Sequence, residues 1–268
     1  MQVITLGMLE KLNSTEESFT EEWKKSFAPN NELLDVRVKF YSNLNALQMA
    51  LNAGEIKHMV LPEPSAEYLM NQTSEYESVL VLRSSGVGLA FGFREDSKAL
   101  RDSFNEALNA MRKNWTLPAI EAIYTASPGK DDPKPVEFAK FEGADTIRAA
   151  VTGDLPPIDF IAADGTPAGF NTAVLAEIGK YLGKNIELIN VDAGARTAAL
   201  ASGRADVVFW YEVVKNSKYQ HDVPEGVIVS EPYYDIDKFI HLRKKLSDGN
   251  SWGWNIFSKD FLDFYIHN

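Results

Sequence analysis

Short apolar runs alternate along this chain with amphipathic stretches of helical period. Val3 to Leu6 is an apolar strand ending at Gly7. From Thr15 to Phe27, Phe19, Trp23 and Phe27 recur every fourth residue, which predicts a helix with one aromatic face used for core packing. Val36 to Tyr41 alternates apolar and polar positions as a strand does. Leu44 to Leu51 predicts a second amphipathic helix with Gly54 as its C-cap, and Ile56 to Leu61 a buried strand running into Pro62 and Pro64. Helices alternating with strands in this way predict a small parallel sheet with covered faces.

Two further strand-like runs, Ser78 to Leu82 and Val87 to Phe93, are joined by Ser84-Ser85-Gly86. Gly86, Gly88 and Gly92 lack dinucleotide-loop spacing, and an apolar strand passes through them where such a loop would start a helix. Ser97 to Arg112 predicts a helix with Leu100, Phe104, Leu108 and Met111 on one face, and Leu117 to Tyr124 adds a turn or two. Ser127 to Asp145 is rich in Pro, Gly and charge, as a linker or surface connection is. Ile147 to Trp210 then reads as a strand, a Pro-Pro loop, an Asp-Gly hairpin, a helix, a strand, a second helix and a third strand. A polar stretch, Tyr211 to Gly226, and a strand-like return, Ser230 to Leu242, follow. The tail, with Trp252, Trp254, Phe257, Phe261, Phe264 and Tyr265, predicts a short amphipathic helix docked on the body.

A length of 268 residues suits one large domain or two lobes with real cores. The net charge of −11 argues against nucleic acid, which needs an excess of Lys and Arg. Without cysteine there is no disulfide, thiolate nucleophile or Cys-ligated zinc. His58, His221, His241 and His267 have no metal-binding spacing, and no Gly-x-Ser-x-Gly elbow exists. The first residues do not read as a signal peptide, and no apolar run reaches the length of a membrane helix. The chain is therefore expected to be either cytosolic or a soluble piece of something larger.

Gly153-Asp154-Leu155-Pro156-Pro157, Gly169-Phe170-Asn171, Leu200 to Asp206 and Ser230-Glu231-Pro232-Tyr233-Tyr234 carry a family likeness. With them, Thr146 to Arg243 resembles the first-lobe core of the type II extracytoplasmic (periplasmic) solute-binding proteins, the bacterial extracellular family 3. The resemblance implies an α/β, two-lobed fold, each lobe a mostly parallel sheet flanked by helices. Val3 to Tyr68 resembles the family's second lobe, and Val87 to Tyr124 the ending of its first. That order implies a circular permutation, with a second lobe in 1–84, the return strand and closing helices of lobe 1 in 85–126, and a linker in 127–145. The lobe 1 core would occupy 146–245 and an aromatic tail 246–268. Such an order resembles the receptor halves of receptor–permease fusions in ABC transporters. The expectation is an extracytoplasmic, monomeric receptor, with a small polar, amino-acid-like or carboxylate-bearing ligand and a membrane permease as partners. No nucleic acid, cofactor, metal or catalytic residue is expected.

Residues that hold amino acids in the family are replaced here. The positions of its Thr-x-x-Arg grip fall on Lys215 and Lys218, and its second-lobe aspartate on Pro62 with Glu63 beside it. The aromatic after the Pro-Pro loop is Ile158, a further aromatic position is Ala193, and the hydroxyl after the Gly7 turn is Met8. Asp154, Asn171, Arg196, Trp210, Tyr211 and Glu212 fall at or near cleft-facing positions by the same likeness. The ligand-binding candidates are thus Gly7, Met8, Glu63, Asp154, Ile158, Asn171, Arg196, Trp210, Tyr211, Glu212 and Lys218. Arg196 is either the ligand's carboxylate contact or an exposed helix arginine. Two alternatives stay open: a lobe pair acting as sensor or docking element without solute, and a dehydratase-like enzyme using Glu212 with Lys215 or Lys218 as acid–base pair.

Overall fold

The computed structural model describes residues 2–27, 34–125 and 131–245. Strands β1 (Gln2–Leu9), β2 (Leu34–Tyr41) and β3 (His58–Pro62) form the parallel ribbon β2-β1-β3 that the alternating pattern predicts. Helix α1 (Glu16–Phe27) lays Trp23 on one face of it, in a cluster with Ile4, Leu6, Val36 and Val38. Helix α2 (Leu44–Ala53) covers the other face with Leu47 and Leu51. Its first turn is capped by the Asn43 side chain, which accepts from the Ala46 N–H at 2.8 Å. Gly54, left-handed at φ 76°, ends it as predicted. Gly7 does not end β1, which stays paired with β2 as far as Leu9. A side chain at Gly7 would collide with Ile56 and Leu47, so its absence lets α2 close on the strand.

Helix α3 (Glu63–Gln72) leads into β4 (Tyr76–Arg94), a single strand of 19 residues where two joined runs were expected. Against it runs the last described strand, which pairs Lys238 with Arg83 and Ile236 with Val87. Two steps there oppose four in β4, and the excess is a bulge holding Ser84 to Gly86, with Gly86 at φ 87°. The Ser84-Ser85-Gly86 link is thus a bend inside one strand.

Helices α4 (Lys98–Lys113) and α5 (Thr116–Tyr124) follow, then β5 (Thr146–Val151). Three short strands, β6 (Asp154–Leu155), β7 (Asp159–Ile161) and β8 (Pro167–Ala168), form a small antiparallel sheet. Next come α6 (Phe170–Leu182), β9 (Asn185–Asn190), a 3₁₀ turn at Ala193–Ala195, α7 (Arg196–Ala201) and β10 (Val207–Val214). β11 (Val227–Val229) and β12 (Tyr234–Lys244) complete the described fold. β10, β5 and β9 are parallel neighbours. Helices α4, α5 and α6 pack together on one side, and α7 sets Ala199 and Leu200 on Ala150 and Val208 on the other.

The architecture is therefore mixed α/β with two parallel halves. They are not separate sheets. β12 and β4, antiparallel, join them into one nine-stranded sheet ordered β2-β1-β3-β12-β4-β10-β5-β9, with β11 also on β4. Residues 131–145 form no helix, yet they are tied down. Tyr68 donates to Asp132 at 2.5 Å, Pro135 bridges to Ala168, and the Phe141 N–H donates to Asn185. The aromatic tail lies outside the described residues.

Candidate functional site

Where β10 leaves the sheet centre, Trp210, Glu212 and Val214 are alternate residues and share one face. That face borders a cavity of about 200 Å³ between the halves. Met8 and Leu9 from β1, Phe19 and Trp23 from α1, and Val60 to Pro62 from β3 line it from the first half. Leu155, His221 and Asp222 join β10 on the second. The crossing strands contribute Leu82, Ser84 and Leu89 from β4, and Phe239 and His241 from β12. The lining is mostly apolar, as ligand pockets commonly are.

Polar groups from the halves meet directly around this cavity. The Lys11 ammonium pairs with Glu212 at 2.5 Å, their side chains 7% and 17% exposed. The Asp222 carboxylate accepts from the Leu12 N–H at 3.2 Å, and the Asn13 N–H donates to the His221 carbonyl at 2.8 Å. Ser14 and His221 are joined at 2.7 Å, and Tyr219 donates to the Asn13 carbonyl. On another flank, Asp154 accepts from the Leu44 N–H at 2.7 Å, a carboxylate at the N-terminus of α2. Burial raises the Asp154 carboxyl above its ordinary range.

Arg196 is not exposed. Its side chain is 1% accessible and all five of its N–H groups are taken. Nε donates to the Ala193 carbonyl, one terminal nitrogen to Trp210 O and Asp222, the other to Asp222 and Glu10 O, all within 2.7 to 3.1 Å. The guanidinium also lies 4.1 Å from the Trp210 ring centroid and 5.0 Å from that of Tyr211. It offers a ligand carboxylate no free donor.

Of the other candidates, Met8, Trp210 and Glu212 line the cavity and the rest do not. Gly7 packs under α2. Ile158 and Asn171 are fully buried, Asn171 beside the Tyr233 hydroxyl at 3.0 Å. Tyr211 turns to the opposite face of β10, its hydroxyl 3.1 Å from that of Thr197, and burial pushes it up to about 12. Glu63 pairs with Lys238 at 2.6 Å, Lys218 is exposed, and Lys215 pairs with Asp235 at 2.8 Å. Glu212 with Lys215 or Lys218 is therefore not an acid–base pair here, because Lys11 takes the carboxylate. The sequence reading missed Lys11, Val60, Phe239 and His241; only the alternation of Phe239 with His241 carried a signal. It also missed Asp159, fully buried, which accepts from the Thr152 N–H and hydroxyl and the Gly153 N–H. Burial pushes that carboxyl up to about 6.

Residues 147–247 match the family model of the bacterial extracellular solute-binding proteins, family 3. The solute-binding match covers a little over a third of the chain and starts past its midpoint. Among curated proteins none matches the chain. Solved structures that it resembles include the ligand-binding component of an ABC-type import system from Staphylococcus aureus with zinc bound. Identity there is 14%, over 91% of this chain and 66% of that one, with a TM-score of 0.47. The periplasmic domain of BvgS from B. pertussis is 13% identical over 91% of this chain and 37% of that one, TM-score 0.42. The methionine-binding protein MetQ is 12% identical over 98% and 89%, TM-score 0.47. The chain thus spans less than two thirds of the length of the first two. Among the described residues no helix is long and apolar enough to cross a membrane.

Proposed function

We propose that this chain is the solute-binding domain of an ABC-type uptake system, working outside the cytoplasm and capturing a small molecule between its halves without transforming it. One observation carries the reading: a cavity bounded by both halves and by the two crossing strands, in a chain whose residues 147–247 match solute-binding proteins. Among the described strands only β4 and β12 run through both halves, so bending there would open the cavity. A membrane permease is the proposed partner.

A circular permutation also fits. The chain begins in the β2-β1-β3 half, crosses on β4, and returns on β12 at the end of the matched block. The proposed boundaries remain 1–84, 85–126, 127–145, 146–245 and 246–268. An amino-acid-like or carboxylate-bearing solute, implied by the resemblance, would need a partner other than Arg196.

The test is thermal-shift and calorimetric screening of the whole chain with amino acids, organic acids, peptides and small neutral compounds. A true solute at a hundredfold excess over Kd stabilises the fold by about 2.7 kcal/mol. Silence across the panel would favour the second reading, a sensor or docking element that works without solute. That reading has its own support in Lys11, Asp154 and Asp222, which bond directly to groups of the other half.

A further inference from the structure

We propose that the cleft takes a small uncharged solute with an apolar, ring-sized body and a single hydrogen-bonding group, in place of a zwitterion. This rests on the reading of the cavity as a solute site and deepens it.

The charged groups at the cavity are already matched within the protein. Lys11 neutralises Glu212, and Arg196 neutralises Asp222, both pairs nearly or wholly out of water. A zwitterion would have to displace one of these pairs or stay unpaired in an apolar pocket, and an unpaired charge is very costly there. Arg83, the remaining cation of the lining, is exposed to solvent at the rim.

The polar atoms left over are neutral. Trp210 lines the cavity, is 2% exposed, and its indole N–H has no acceptor. His241 lines it too, fully buried, with neither ring nitrogen bonded. Burial, helped by His58, holds the His241 imidazole down to about 3, so it is neutral. The lining residues thus carry, behind the cavity wall, an indole donor and an imidazole that donates once and accepts once, each without a partner in the protein. A ligand carbonyl can accept from the indole or imidazole N–H, and a hydroxyl can also donate to the bare imidazole nitrogen, whereas an ammonium–carboxylate pair would set full charges against neutral partners. Size agrees: a cavity near 150 Å³ holds benzene, and this one is about 200 Å³.

The experiment is calorimetry on the whole chain with acetophenone and p-cresol, with toluene as the probe lacking a carbonyl or hydroxyl, and with benzoate and phenylalanine as charged counterparts. Acetophenone and p-cresol are expected to bind at least about tenfold more tightly than benzoate or phenylalanine. Trp210→Phe keeps the ring under Arg196 but removes the donor. It should weaken acetophenone about three- to tenfold, the worth of one hydrogen bond, and leave toluene unchanged. Met8→Phe, which shortens the cavity from the β1 side, should weaken all neutral probes and covers the case in which Trp210→Phe fails to fold. Preference for benzoate or phenylalanine would overturn the inference and leave the receptor reading standing. Binding of none of the probes or of the wider solute panel would overturn both. Unchanged acetophenone affinity in a folded Trp210→Phe would remove Trp210 from the site.

Discussion

Arg196 shows how a residue placed at a ligand site by likeness comes to hold the protein together. Its guanidinium and the Asp222 carboxylate form a bidentate pair at 2.8 and 3.0 Å, with accessibility of 1% and 0%. Replacing one member of such a pair strands the other charge, at about 3–5 kcal/mol. Asp222 keeps the Leu12 and Glu212 N–H bonds, so Arg196→Met should fall near the lower end, about 3 kcal/mol by urea unfolding. The double change Arg196→Met with Asp222→Leu should recover part of that loss. An Arg196→Met protein of wild-type stability would refute the structural role. His58 and His241 give a second residue-scale prediction, in pH. Burial holds them down to about 4 and about 3, so the folded state resists protonation while the unfolded chain takes it up near 6.5. The folded pKa lies below the unfolded one in bases, so stability is full above 6.5 and lost as pH falls toward 4. Each histidine then costs about 2 kcal/mol between pH 7 and pH 5. Asp159 works the opposite way: its raised carboxyl near 6 recovers about 1 kcal/mol over that interval. The cleanest measurement is therefore a difference. His241→Phe should gain about 2 kcal/mol relative to wild type on going from pH 7 to pH 5, and a pH-independent difference would sink the idea.

At the scale of elements, what was legible in the sequence was what repeats locally. The aromatic face of α1, the Gly54 stop of α2, the α4 stripe and the parallel β2-β1-β3 ribbon all follow from periodicity and capping. Helix α3 is hidden in the sequence because Pro62 and Pro64 read as a strand's end, although proline is also at home in a helix's first turn. β4 reads as two strands in the sequence because Ser84-Ser85-Gly86 has turn chemistry. Only the pairing with β12, more than 150 residues away, shows a bulge in its place. β10 runs on to Val214, past the expected end at Trp210, and this extension sets Glu212 beside Lys11. The cavity was legible only in part for the same reason. Trp210, Glu212 and Met8 stood out, whereas Lys11 and His241 gain their role from strands brought together across the chain.

At the scale of the whole molecule, two of the described strands join the halves, and polar contacts bridge them directly. Lys11–Glu212, Arg196 to the Glu10 carbonyl, Asp222 to the Leu12 N–H, and Asp154 at the α2 N-terminus all cross the cleft. A solute can drive closure only through differential affinity for the closed state, and a cleft already held shut leaves it little to shift. The ligand-free protein should therefore be closed in solution. The absence of cysteine makes this measurable, since Met49→Cys on α2 and Tyr181→Cys on α6 place spin labels at exposed sites on opposite halves. Their distance distribution should be single and unchanged by a saturating probe. Lys11→Glu sets like charges against Glu212 and should add a longer population, which a neutral cleft probe shortens again. A wild-type distance that contracts when solute is added would show that the cross-cleft bonds do not hold the free protein shut.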